Sequence, residues 1–108
     1  MFYNENVIKK SLNKIGRITM NSVHIGLNEE EKALLAKLSI GSTYQHAKGK
    51  KYIVRGIARH SEDLSLYVLY EALYDCGNYG QFWIRPLDMF LEDVEMNGQK
   101  VPRFKQIS

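Results

Sequence analysis

From Thr43 onward apolar and polar residues alternate with a period of two, and this alternation constrains the chain more than any other feature. Side chains on a strand point to opposite faces in turn, so a sustained two-residue period specifies half-buried strands and a mainly β fold. Lys51 to His60 reads as one long strand, with Tyr52, Val54, Gly56 and Ala58 on one face and Lys51, Arg55 and Arg59 on the other. After the polar turn Ser61-Glu62-Asp63, the residues Leu64, Leu66, Val68, Tyr70, Ala72 and Tyr74 share one face of a second long strand. The two strands form a hairpin. Gly56 has no side chain to pack, so it marks a sharp bend or a close approach by another element.

The flanking segments carry shorter signals of the same kind. Tyr44 to His46 reads as a short strand and Ala47-Lys48-Gly49-Lys50 as a turn. The loop Asp75 to Gly80 has glycines and an Asn suited to positive φ, and Phe82 to Arg85 forms a short strand stopped by Pro86. Leu87 to Leu91 is a single helical turn or an irregular connection. Asn97-Gly98 specifies a two-residue type I′ hairpin. Its register sets Met96 opposite Gln99, Glu95 opposite Lys100, Val94 opposite Val101 and Glu92 opposite Arg103, so two opposite-charge pairs coincide. Pro102 belongs on an exposed edge. Five or six antiparallel strands of this kind, one of them bent, predict a small SH3-like barrel, with an OB-like barrel as the alternative.

Upstream the period changes. Asn28 is a helix N-cap with Glu31 three residues on, Glu29 and Glu30 complement the helix N-terminus, and Leu34, Leu35 and Leu38 form an apolar stripe. A capping helix over residues 27–40 therefore precedes the barrel of residues 41–108, covering one open end or edge of it. Residues 1–26 read as an irregular or flexible segment, with Ile8, Leu12 and Ile15 at helical spacing before Gly16. With 108 residues, 44% of them hydrophobic and 25% charged, the chain suits one globular core. No apolar run approaches the roughly 20 residues that span a bilayer, and residues 2–19 lack the apolar centre of a secretory signal. The lone Cys76 forms no internal disulfide, which fits a reducing compartment and a cytoplasmic location without a membrane partner.

The blocks His46, Lys48-Gly49, Tyr52, Val54, Gly56 and Ala58-Arg59-His60-Ser61-Glu62 open a longer pattern. It continues through Tyr70, Leu73-Tyr74, Trp83-Ile84-Arg85-Pro86, Met89-Phe90 and Val101-Pro102-Arg103-Phe104. Together they resemble the bacterial family known as domain of unknown function 1653, over roughly residues 43 to 107. The resemblance implies a small SH3-type barrel and no established activity. The first 40 residues lie outside the pattern, and the Asp75 to Gly80 loop is longer than the family's.

Catalytic readings fare poorly. Consecutive strand-end residues point in different directions, so His60, Ser61 and Glu62 form no relay among themselves, and Ser61 and Glu62 are turn-shaping residues. Cys76 lacks an identified activating group, and His24, His46, His60 and Cys76 show no zinc-ligand spacing; no metal and no cofactor is implied. The cations carry more. The net charge of +3 divides into six Lys/Arg against four Glu up to residue 40 and nine against eight beyond it, yet Lys48, Lys50, Lys51, Arg55 and Arg59 are uninterrupted by any acid. These basic residues read either as a solvated strand surface or as one charged face. Arg59 and Arg85 end strands and Arg103 begins one, so their guanidinium groups can clamp an anion if the fold brings those ends together.

Trp83 shares the face of Arg85 by parity and offers a stacking platform. The opposing reading pairs Arg85 with Asp88 and Arg103 with Glu92 and places Trp83 in the core. Three functions follow. The first is a non-catalytic binding module for a nucleotide-like or nucleic-acid anion, with Arg59, His60, Trp83, Arg85 and Arg103 as its rim and Lys48, Lys50 and Lys51 steering phosphates. The second is a protein-interaction barrel presenting Tyr44, Tyr67, Tyr79 and Trp83 to an extended peptide. The third is a small hydrolase-like enzyme.

Overall fold

The computed structural model describes residues 26–108. Expectations for the first 25 residues, including the Ile8, Leu12 and Ile15 pattern and the role of His24, lie outside the described residues. The elements follow in the order α1 (Glu29–Leu35), β1 (Thr43–His46), β2 (Lys51–Arg59), β3 (Leu66–Ala72), β4 (Phe82–Pro86), α2 (Leu87–Leu91), β5 (Asp93–Met96), β6 (Gln99–Pro102) and β7 (Phe104–Gln106). The strands make one antiparallel sheet in the order β4-β3-β2-β1-β7 and a separate β5-β6 hairpin. The class is mainly β, as the alternation predicts. Among the described residues seven strands form instead of five or six, and the sheet and the hairpin do not close into a barrel.

Helix α1 starts where the capping signals place it. The Asn28 side chain accepts from the Glu31 N–H at 2.7 Å, and the Glu31 carboxylate accepts from the Asn28 N–H at 3.1 Å, satisfying two otherwise orphaned donors. The helix ends at Leu35, short of the expected 27–40 span, because the next turn tightens: the Lys37 and Leu38 N–H groups donate to the carbonyls of Leu34 and Leu35. Leu34, Leu35 and Leu38 still pack against the core.

Strand β3 follows its pattern residue for residue, with Leu66, Val68, Tyr70 and Ala72 buried. Strand β2 does not. Val54 pairs with Tyr70 and Gly56 with Leu69, leaving Arg55 as an extra residue in a bulge. A bulge inserts one residue into a two-residue period, so the faces exchange beyond it. Ile57 therefore packs against the core and Ala58 is exposed. Arg59 leaves the face of Lys51 and Arg55 and becomes half-buried opposite Leu66. Gly56 marks this irregularity, as its missing side chain suggested.

The Asn97-Gly98 turn is as expected, with φ of 53° and 78° at its two residues. Met96, Glu95 and Val94 face Gln99, Lys100 and Val101. Arg103 then donates its backbone N–H to the Glu92 carbonyl and its guanidinium to the Glu92 carboxylate at 2.7 Å. Pro102 stands on the free side of β6. At Arg103 the chain leaves the hairpin, and Phe104–Gln106 pairs instead with β1, His46 facing Phe104.

The core is an aromatic cluster on the inner face of the large sheet. Phe90 from α2 is fully buried and stacks on Phe104 with centroids 4.0 Å apart, and Tyr44 and Tyr70 meet Phe90 edge-on at 5.5 and 5.3 Å. Such offset and edge-to-face contacts add to the gain from removing the rings from water. Tyr52 extends the cluster toward solvent, 5.1 Å from Tyr70 and 5.4 Å from Tyr74. No helix among the described residues is long and apolar enough to cross a membrane.

Candidate functional site

The aromatic cluster ends in a cleft of about 230 Å³ lined by His46, Lys48, Lys50, Tyr52, Tyr70, Trp83, Arg85 and Phe104. Each wall comes from a different part of the chain. Strand parity sets Trp83 and Arg85 on the inner face of β4, across from Tyr70 and Val68. Because β4 is an edge strand, these side chains keep one open flank, and Trp83 stays 45% exposed rather than joining the core. The opposite wall is the β1–β2 turn. Gly49 sits at φ +108°, a conformation L side chains rarely adopt, which closes the turn and sets Lys48 and Lys50 beside His46. Tyr52, Tyr70 and Phe104 form the floor.

Arg85 is held and yet largely free. Its Nε donates to the Tyr70 hydroxyl at 3.3 Å, and its guanidinium lies 5.5 Å from the centre of the Phe104 ring. Its two terminal amino groups have no partner among the described residues, and the expected pairing with Asp88 does not form; Asp88 caps the Met89 N–H instead. Lys50 lies 4.5 Å from the Tyr74 ring centre, and neither it nor Lys48 meets a carboxylate among the described residues. The Tyr74 phenol is held protonated well above its ordinary range by its hydrogen bond to Tyr52, reinforced by burial.

His46 completes the cleft, and nothing in the local sequence pattern marks it as a site residue beyond its place in the family-like blocks. Its Nδ1 accepts from the Lys48 N–H at 3.0 Å. Burial first, then the charges of Arg85, Arg103 and Lys48, hold its pKa below the ordinary value. The neutral ring with Nδ1 occupied as acceptor carries its proton on Nε2, which makes His46 a hydrogen-bond donor.

The remaining candidates lie elsewhere or are already engaged. Arg59, turned inward by the bulge, donates to the Leu64 carbonyl at 2.6 Å and the Gly26 carbonyl at 3.3 Å, and stands 3.5 Å from Glu31 of α1. His60 belongs to the β2–β3 turn, where its Nδ1 accepts from the Glu62 N–H and its ring lies beside Tyr67 at 5.8 Å. His60 and Asp63, rather than Ser61 and Glu62, supply the side chains that shape this turn, Asp63 accepting from both the N–H and the hydroxyl of Ser65. Those two bonds, the hydroxyl's first, hold the Asp63 carboxyl below its ordinary pKa.

Arg103 borders the cleft electrostatically but is spent on Glu92 and the Met89 carbonyl. Lys51 is exposed and does not line the cleft. The aromatic residues expected in a peptide groove are dispersed: Tyr44 is buried with its hydroxyl accepting from the Ser39 N–H, Tyr67 lies on the outer face, and Tyr79 projects from a loop.

The fold has a solved counterpart. The crystal structure of a DUF1653 protein from Bordetella bronchiseptica superposes with a TM-score of 0.59 at 28% identity, covering 66% of this chain and 90% of that one. No curated protein matches the chain. Residues 42–106 match the model of the family described as protein of unknown function (DUF1653), and the chain belongs to that family.

Proposed function

We propose that the domain is a non-catalytic binding module whose cleft takes a nucleotide-like anion, the phosphate held by Arg85, Lys48 and Lys50 and the planar group laid against Trp83. One observation carries this reading. The cleft gathers three cationic side chains and an exposed tryptophan on an aromatic floor, with no carboxylate in its lining among the described residues. Unneutralised cations cost free energy through mutual repulsion, and a cleft with low-dielectric walls concentrates their field on an arriving anion. The neutral His46 adds a directed donor that carries no charge of its own.

Trp83 is the chain's single tryptophan, so its emission reports on this cleft alone. Titration with adenosine monophosphate is expected to quench that emission, with inorganic phosphate and adenosine each binding far more weakly. Adenosine binding as tightly as its phosphate would remove the anion from the reading, and unchanged emission with all three would remove the ligand class.

A further inference from the structure

His46 is also a wall of a second and larger cavity. This groove, about 560 Å³, runs between the β1–β2 turn and the β5–β6 hairpin and is lined by Gln45, Met96, Asn97, Gln99, Val101 and Lys105, among others. It exists because the hairpin forms its own ladder and does not join the five-stranded sheet, which leaves a seam between the two. Met96, Val101 and Pro102 give it apolar surface, and Gln45, Asn97 and Gln99 give it amides.

Charge separates these two cavities from the rest of the molecule. Lys105 lines the groove, Lys48, Lys50 and Arg85 line the cleft, and among the described residues no Asp or Glu lines either. A third cavity, beside α1, is lined by Glu30, Glu31 and Asp88. The two cavities share His46, so their cations form a track that begins at Arg85 on the inner face of the sheet, rounds the β1–β2 turn and reaches Lys105 on the outer face. Such a track suits a ligand whose anionic groups repeat and whose flat, partly apolar groups alternate with them.

We propose that the cleft and the groove together hold a single-stranded nucleic acid, one nucleotide in the cleft and the next in the groove; this rests on the reading of the cleft as a nucleotide site. A duplex hides its base faces in the stack, whereas a single strand can turn successive bases into concave sites and leave its phosphates along the basic line between them. The apolar and amide lining of the groove fits a base face and its polar edge. A peptide of acidic residues alone meets the charges but brings no ring for Trp83.

The test compares adenosine monophosphate with four-nucleotide adenine strands of RNA and of DNA on the full chain, read by Trp83 emission. The strands are expected to bind at least about tenfold more tightly, because the groove adds contacts to a further base and a further phosphate. Their log affinity should fall more steeply with log salt, by about 0.7 for each further phosphate neutralised. Gln99→Glu with Lys105→Glu is expected to reduce strand affinity to that of the mononucleotide while leaving the mononucleotide unaffected. Lys105→Ala alone should lower the salt slope, a second check should the double variant melt early.

Equal affinities for strand and mononucleotide, or strand binding indifferent to the groove variants, would overturn the strand and leave the nucleotide reading standing. A tetraglutamate peptide binding as tightly as the strands would also overturn it. Failure of strands and mononucleotide alike would remove both readings.

Discussion

Arg59 and Arg85 both stand at strand ends on the inner face of one sheet, yet their guanidinium groups meet opposite surroundings. Arg59 faces two backbone carbonyls and the Glu31 carboxylate, at the end of the sheet that α1 covers. Arg85 faces a tyrosine hydroxyl, a phenylalanine ring and open space flanked by further cations. A cation with its acceptors supplied by the protein holds elements together. A cation without them keeps its hydrogen-bonding capacity for something that arrives from outside.

The contrast depends on the bulge at Arg55, and adding a further residue beyond it is the most damaging way to break it. Inserting one alanine between Gly56 and Ile57 would either turn Ile57 and Arg59 to the outer face or force the whole hairpin to slip by one residue. A loss of about 3–5 kcal/mol is expected from the emptied core position and the lost Arg59 bonds, read as a collapse of the urea midpoint. An insertion variant as stable as the parent would show that this register does not place Arg59.

Exchanging the arginines for alanine singly sharpens the comparison. Arg85→Ala is expected to weaken adenosine monophosphate binding about 100-fold, the magnitude of two lost charge-assisted hydrogen bonds. Its stability should change by less than about 1 kcal/mol, since one long hydrogen bond to Tyr70 is lost. Arg59→Ala should show the converse: about 2 kcal/mol less stability, because the Leu64 carbonyl loses its donor and Glu31 its partner, with binding unchanged. Similar losses of stability for both variants would make Arg85 a structural residue and remove the chief support for the site.

These two arginines also show how far the sequence is legible. Local signals are read correctly: the Asn28 and Glu31 cap, the β3 alternation, and the Asn97-Gly98 turn with the register that leads to the Glu92 and Arg103 pair. The shared face of Trp83 and Arg85 is legible too, because β4 is short and unbroken and parity holds across two residues. The position of Arg59 is not legible, since one inserted residue in the ladder reverses every side chain beyond it and a two-residue period cannot reveal where a bulge falls. His46 and Phe104 escape for another reason. They meet only because the last strand abandons the hairpin and crosses to β1, a pairing that spans most of the domain and leaves no local trace.

The smallest expected effect is a pH dependence that differs between the two regions. Folding lowers the His46 pKa, so as pH falls the unfolded chain takes up the proton first. Stability from the neutral ring is complete above the ordinary value of 6.5 and declines as pH drops from there toward the folded pKa. Asp63, in the β2–β3 turn, is lowered by its bonds to Ser65, so its contribution is complete above 3.8 and fades only as pH falls through its lower folded value. His46→Gln should therefore flatten the urea midpoint between pH 7 and pH 5 and leave the more acidic decline unaltered.

The ligand adds a second reading of the same group. A phosphate seated among Arg85, Lys48 and Lys50 cancels the repulsion that disfavours the imidazolium, so adenosine monophosphate should raise the His46 titration in histidine-resolved NMR. By the same linkage, binding of adenosine monophosphate should carry a fraction of a proton onto His46. A His46 titration unmoved by saturating adenosine monophosphate would place the phosphate away from this cleft even if Trp83 responds.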